Sequence, residues 1–321
     1  MNTHKKLVSA FWMLPSFWVY PSLVQASKVM EGKSFNDSLV LRYADNIAFE
    51  KPAVSLRTTK TGKATPEIQD ILGTKFPIMS YEKLLTIFQG WINAAGSHQV
   101  CIANVHTVVT CLTDKNLRSI CNNALTTMDG QPLVWYANLI NKSAVEGRVC
   151  GPDLMEKCLD EGRQQNWKHF FLGGKDYVLN DLLEATRQRF PGVDIVGWNS
   201  PPFRALTAEE DQQLVDQINA AKPDFLWVGL GAPKQEKWIA EHLDRINVPV
   251  QIGVGAAFAF HSGHVVRAPD WMQKYGLEWL YRMFKERRLV KRYLSTNPTF
   301  LLLFARDLLL KRLFRSRSTR A

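Results

Sequence analysis

Apolar positions along this chain alternate between helical and strand periods from Gly73 onward. Leu84, Leu85, Ile87, Phe88, Trp91 and Ile92 recur at helical spacing between Tyr81 and Ala95, and Gly96 stops the run. Gln99–Ala103 reads as a strand ending at Asn104–Val105–His106–Thr107, followed by a helical stretch from Thr113 to Asn122. Thr126–Gln131 contains Asp129–Gly130 and precedes the apolar run Pro132–Ile140. Arg148–Val149–Cys150–Gly151–Pro152–Asp153–Leu154 then leads into a helix to Gln164.

The same alternation continues through the second half. His169–Leu172 is a strand, Gly173–Gly174–Lys175 a turn, Val178–Phe190 a helix and Val193–Trp198 a strand. Thr207 and Glu210 form a capping box, each side chain satisfying the other's backbone N–H, and open the helix Ala208–Ala221. Phe225–Val228 is a buried strand that turns at Gly229 and Gly231, with Pro233 placed to start the next helix. Pro249–Val254 is the last strand, ending in Gly255–Ala256–Ala257–Phe258. Strands alternating with helices in this way predict an α/β fold, a Rossmann-like, mostly parallel sheet with helices on both faces.

After Gly263 the pattern changes to basic amphipathic helices. Trp271, Leu277, Trp279, Leu280, Met283 and Phe284 alternate with Arg282, Lys285, Arg287 and Arg288, and Phe300–Phe304 is wholly apolar. Charge sharpens this division. From Arg267 to the end there are 14 Lys/Arg against 4 Asp/Glu, which accounts for the whole net charge of +10. Three parts follow: an N-terminal extension (1–72), a catalytic α/β domain (73–266) and a C-terminal appendage (267–321). Within the extension, Leu7–Val24 carries no charge but is interrupted by Pro15 and Pro21. It reads as an interfacial segment, with a cleaved signal and a short anchor as alternatives.

Candidate chemistry gathers at strand ends, where ligands bind in open α/β sheets. Four loops qualify: Asn104–Thr107, Asp129–Gly130, Gly173–Lys175 and Gly229–Gln235. Asp129 reads either as a plain turn residue or as a carboxylate at the core edge suited to general-base work. Lys234 stands beside a helix N-terminus of the kind that holds phosphate. Gly173–Gly174 lacks the third glycine of a dinucleotide fingerprint. His261 and His264 lack a carboxylate cluster and read as loop or core residues; no metal site is indicated, nor an Asp-x-Asp or a nucleophile elbow. The five cysteines lack metal-ligand spacing and read as free thiols. The basic tail pairs charge with long apolar faces, which favours anionic membrane lipid over nucleic acid, packing on the protein's own core being the alternative.

Seven motifs in order resemble the WecG/TagA/CpsF family of bacterial glycosyltransferases. They are Asp129–Gly130, Arg148–Leu154, Phe171–Gly174, Gly229–Glu236, Gly253–Gly255, Gly263–Pro269 and Gly276–Arg282. The resemblance spans roughly residues 75–305. Where the family often has Glu–Pro–Arg–Arg, the chain reads Glu286–Arg287–Arg288. The resemblance implies an inverting transfer of a sugar from a UDP-sugar to a polyprenyl-diphosphate-linked sugar, at the inner face of the cell membrane, in surface-polysaccharide assembly. It implies Asp129 as the base and Gln235 near the donor; further donor or substrate contacts are expected at Asn104, Thr107, Arg148, Gly173, Gly174, Gly231, Lys234 and Gly255. Arg267, Arg282, Arg288 and Arg292 are expected to reach the lipid diphosphate or the membrane. No cofactor is expected. The neutral, aromatic-rich stretch Asp129–Trp135 points to glucose as the sugar, with N-acetylmannosamine and its uronic acid as alternatives. A homo-oligomer is left open, and a nucleotide-dependent oxidoreductase and a non-enzymatic membrane scaffold are the rival readings.

Overall fold

The computed structural model describes residues 67–94 and 96–318. The interfacial segment expected at Leu7–Val24 lies outside the described residues. A short antiparallel hairpin comes first, β1 (Ile68–Ile71) and β2 (Thr74–Pro77). The boundary expected at residue 72 therefore falls between two paired strands. Ile71 and Phe76 of this hairpin are fully buried in a core shared with the domain that follows.

Six strands form one all-parallel sheet in the order β4–β3–β8–β7–β5–β6. They are β3 (His98–Ala103), β4 (Leu125–Met128), β5 (Lys168–Gly173), β6 (Asp194–Asn199), β7 (Phe225–Gly229) and β8 (Val250–Gly253). The expected α/β class is thus present. β7 shows why a continuous apolar run makes a central strand. Phe225 and Trp227 point to one face, packing with α1 (Tyr81–Ile92), α5 (Gly151–Gln165) and α6 (Asp176–Arg189). Leu226 and Val228 point to the other, against α7 (Ala208–Ala221) and α8 (Lys234–His242). All four are 0% exposed, and each such side chain stabilises the fold by about 1.5–3 kcal/mol through burial.

Local signals set the helix starts. Thr207 and Glu210 close the expected capping box at α7. Asn104 and Thr107 close another, which opens a helix the apolar pattern did not announce, α2 (Val105–Cys111). Asp114 caps α3 (Lys115–Asn123) through the Leu117 N–H. Beyond β4, α4 (Gln131–Tyr136) widens into a π-helical turn, Ala137–Asn141.

After β8 come three short pieces, α9 (Ala257–His261), α10 (Asp270–Lys274) and α11 (Glu278–Lys285), then the long α12 (Val290–Ser318). Tyr293 and Phe300 are buried, and the ring centroids of Phe300 and Phe304 lie 6.1 and 5.3 Å from that of Tyr136. The Tyr136 hydroxyl donates to Asp307 Oδ2 at 2.5 Å. One face of α12 is therefore packed on the protein, while Leu294, Leu301, Leu302 and Leu309 on another face are exposed. No helix among the described residues is long and apolar enough to cross a membrane.

Candidate functional site

The carboxyl ends of the strands open into a cavity of about 850 Å³, closed on its far side by α11 and α12. Of the sequence-predicted residues, Asn104, Asp129, Arg148, Gly174, Gly231, Gln235, Gly255, Arg282, Arg288 and Arg292 line it. Thr107, Gly173, Lys234 and Arg267 do not. Thr107 is buried as the partner of Asn104 in the α2 cap. Lys234 is exposed on the first turn of α8. Lys237, one turn further on, binds Asp114 at 2.6 Å.

Asp129 follows β4 directly, and its backbone N–H donates to Ala103 O at 2.9 Å. That bond extends the β3–β4 ladder by one residue and fixes where the side chain leaves the sheet edge. No side chain among the described residues hydrogen-bonds its carboxylate. Burial raises its pKa to about 6, with Glu278 adding to the rise and Arg148, Arg282 and Arg267 opposing it. A carboxylate poised there is ionised at neutral pH and still basic enough to accept a proton.

The nearby cations differ in how far they are already engaged. Arg148 donates to Glu278 at 2.9 Å. Arg267 binds Asp153, whose other oxygen accepts from the Cys150 thiol at 2.9 Å. Arg282 and Arg288 share Glu286, at 2.9 and 2.5 Å. Arg292 has no carboxylate partner among the described residues, and its buried Nε has no hydrogen-bond acceptor. Burial pulls its pKa down from the ordinary guanidinium value, with Arg282 and Arg288 adding to the effect. Beside it His106 is held neutral, its pKa lowered to about 4 by burial and then by the Arg292 charge. An unpaired buried cation on a cavity wall is costly unless an anion completes it.

Gln235 lines the cavity and also braces its loops. Its Oε1 accepts from the Gly231 and Gly255 N–H groups at 3.1 and 3.0 Å, and its Nε2 donates to Glu236 Oε1 at 2.9 Å. A Cβ at residue 253 would lie 2.8 Å from that Nε2, so Gly253 is what lets the amide sit between the two loops. Gln235 thus ties the loop after β7 to the loop after β8. Replacing it with alanine leaves two half-buried amides without their side-chain acceptor. The expected result is a loss of about 1–3 kcal/mol in denaturant unfolding.

Both histidines of the 261–264 loop act as struts. His261 Nε2 is 2.9 Å from Pro152 O, and His264 Nε2 is 2.6 Å from Asp181 Oδ2. All five cysteines are free and buried. Sequence reasoning gave no separate part to Glu278, His106 or Trp135, all of which line the cavity. Glu278 stood inside a quoted motif, but its link to Arg148 joins residues 130 positions apart.

The carboxyl edge of the parallel sheet thus sets the Asp129 carboxylate in one cavity with the guanidinium groups of Arg148, Arg282 and Arg292. The chain belongs to the Glycosyl transferase WecG/TagA/CpsF family, which it matches over residues 69–314. It is similar to the N-acetylglucosaminyldiphosphoundecaprenol N-acetyl-beta-D-mannosaminyltransferase of Bacillus spizizenii, 32% identical over 167 residues, covering 52% of this chain and 63% of the relative. The chain thus spans somewhat less than two-thirds of that protein. A Staphylococcus aureus protein of the same name is 28% identical over 237 residues, covering 72% of this chain and 90% of the relative. Membership of a glycosyltransferase family sets aside the oxidoreductase and scaffold readings.

Proposed function

We propose that the protein transfers a sugar from a UDP-sugar to a polyprenyl-diphosphate-linked sugar, with inversion, while bound peripherally at the inner face of the membrane. The observation that carries this reading is the presence, in one cavity, of the Asp129 carboxylate, which no side chain among the described residues hydrogen-bonds, and the Arg292 guanidinium, which has no carboxylate partner among them. The names of the relatives supply the acceptor class, a diphosphoundecaprenol-linked N-acetylglucosamine.

In the proposed reaction an acceptor hydroxyl attacks the anomeric carbon of the donor. The new C–O bond forms as the bond to the UDP oxygen breaks, and the electron pair leaves with UDP. Asp129 takes the hydroxyl proton. Attack opposite the leaving group inverts the anomeric configuration. Backbone N–H groups of the glycine loops and guanidinium groups stabilise the diphosphate charges. Because arginines supply that positive charge, the rate is expected to persist in excess EDTA. Loss of activity reversed by Mg²⁺ or Mn²⁺ would refute this part of the scheme.

The test is a donor panel with N-acetylglucosaminyldiphosphoundecaprenol as acceptor. UDP-N-acetylmannosamine is included because of the relatives, and UDP-glucose because of the neutral, aromatic Asp129–Trp135 stretch. One donor is expected to give a lipid-linked disaccharide and an equimolar amount of UDP. Absence of product from every UDP-sugar overturns the proposal.

A further inference from the structure

The cavity leaves one stretch of its rim without a polar role. Trp135 on α4 and Leu301 on α12 both line it, yet they are 44% and 59% exposed. Next to them in the chain, the Tyr136 and Phe300 rings lie 6.1 Å apart. A Cβ at residue 276 would lie 2.7 Å from Gln131 and 3.6 Å from the Trp135 ring, so the turn before α11 presses directly on α4. Leu301 also belongs to a longer stripe. At 3.6 residues per turn, Leu294, Leu301, Leu302 and Leu309 fall within an arc of about 100°. That arc is exposed, while Tyr293 and Phe300 on another side of the helix are buried. The apolar surface thus runs unbroken in sequence terms from the cavity rim to the outside of α12.

Charge is graded along the same path. Inside the cavity are Arg282, Arg288 and Arg292. The one carboxylate of this part of α12, Asp307, is taken up by Tyr136. A ligand that fits both ends has an anionic head and a hydrocarbon tail. A nucleotide-sugar, polar throughout, satisfies only the inner end.

We propose that the Trp135–Leu301 rim receives the first isoprene units of the acceptor as its chain leaves the diphosphate site. This rests on the lipid-diphosphate acceptor reading above. Covering either side chain removes enough apolar surface from water for about a tenfold gain in affinity.

The experiment uses two acceptors with the same diphosphate-linked N-acetylglucosamine. One carries an undecaprenyl chain in detergent micelles, the other a water-soluble methyl group with no isoprene unit. The readout is the ratio of their kcat/KM values. Trp135→Ser and Leu301→Ser are each expected to lower the long-to-short ratio about tenfold, and Trp135→Phe to restore most of it. The pair Leu302→Ser/Leu309→Ser lies on the same exposed face but away from the rim, and is expected to keep the ratio. A ratio unchanged in the two rim variants overturns the proposal. So does an equal fall in the Leu302/Leu309 pair, which would assign the preference to a broad bilayer-facing surface. Failure of the unaltered protein to use either acceptor instead overturns the function reading, and this proposal with it.

Discussion

Asp129→Asn is expected to lower kcat by about 10²–10⁴ while leaving UDP affinity within a factor of two or three. Asparagine keeps the shape and can still donate and accept hydrogen bonds, but it cannot take the proton from the attacking hydroxyl. The same change is expected to stabilise the fold at pH 7. In the folded protein this carboxyl keeps its proton up to about pH 6, whereas an ordinary aspartate loses it near 3.8. The native state therefore binds more protons than the unfolded chain between about pH 4 and 6. Stability falls as pH rises through that window and stays lower above it. After discounting for water in the open cavity, the ionised group costs about 1–3 kcal/mol at neutral pH. Activity runs in the opposite direction: kcat/KM should rise through an apparent pKa of about 6 on the acid side, and that limb should vanish in the variant. Turnover that is unchanged in Asp129→Asn removes this residue from the base role.

Much of the sheet was legible because its signals are local. Phe225–Val228 can only be a strand buried on both faces, and a Thr–Glu capping box announces α7. The miss at α2 has a local cause as well. Val105, Val108 and Val109 are β-branched and follow β3 after a single residue, so the stretch reads as a strand end and loop. Its cap pairs Asn104 with Thr107, where the familiar box has Glu or Gln at the third position. The hairpin before residue 78 was lost in a polar stretch because only Ile71, Phe76 and their neighbours carry its burial.

The candidate site divides differently. Asp129 was legible as a carboxylate between two apolar runs, and the glycine loops as strand ends. Which groups are already spoken for was not. Gln235 and Lys234 stand side by side in sequence, but the helix turns the lysine outward and the amide inward, where two backbone N–H groups and Glu236 use it. The four candidate arginines of the appendage, Arg267, Arg282, Arg288 and Arg292, look alike in sequence. Carboxylates at Asp153 and Glu286 pair with Arg267, Arg282 and Arg288, and leave Arg292 over. Pairing of that kind is a property of the packed structure.

That difference makes Arg292 the second decisive position. Arg292→Met keeps the apolar stem on α12 and removes the charge. If this guanidinium receives the acceptor diphosphate, the acceptor kcat/KM is expected to fall about 10–100-fold, the range for losing a hydrogen bond to a charged group. UDP affinity should change little if the donor diphosphate is held by the glycine loops after β5, β7 and β8. Stability is expected to move the other way. In the free protein the half-buried Arg292 guanidinium lies over the Tyr293 ring with no carboxylate partner among the described residues, and Arg282 and Arg288 repel it. The methionine variant should therefore unfold at higher denaturant than the parent. Arg288→Met is the comparison, since it breaks an exposed pair with Glu286 and should change stability by well under about 1 kcal/mol. A fold weakened by Arg292→Met would mean that the guanidinium serves the packing of α12, and the anion site would have to be sought among the other arginines.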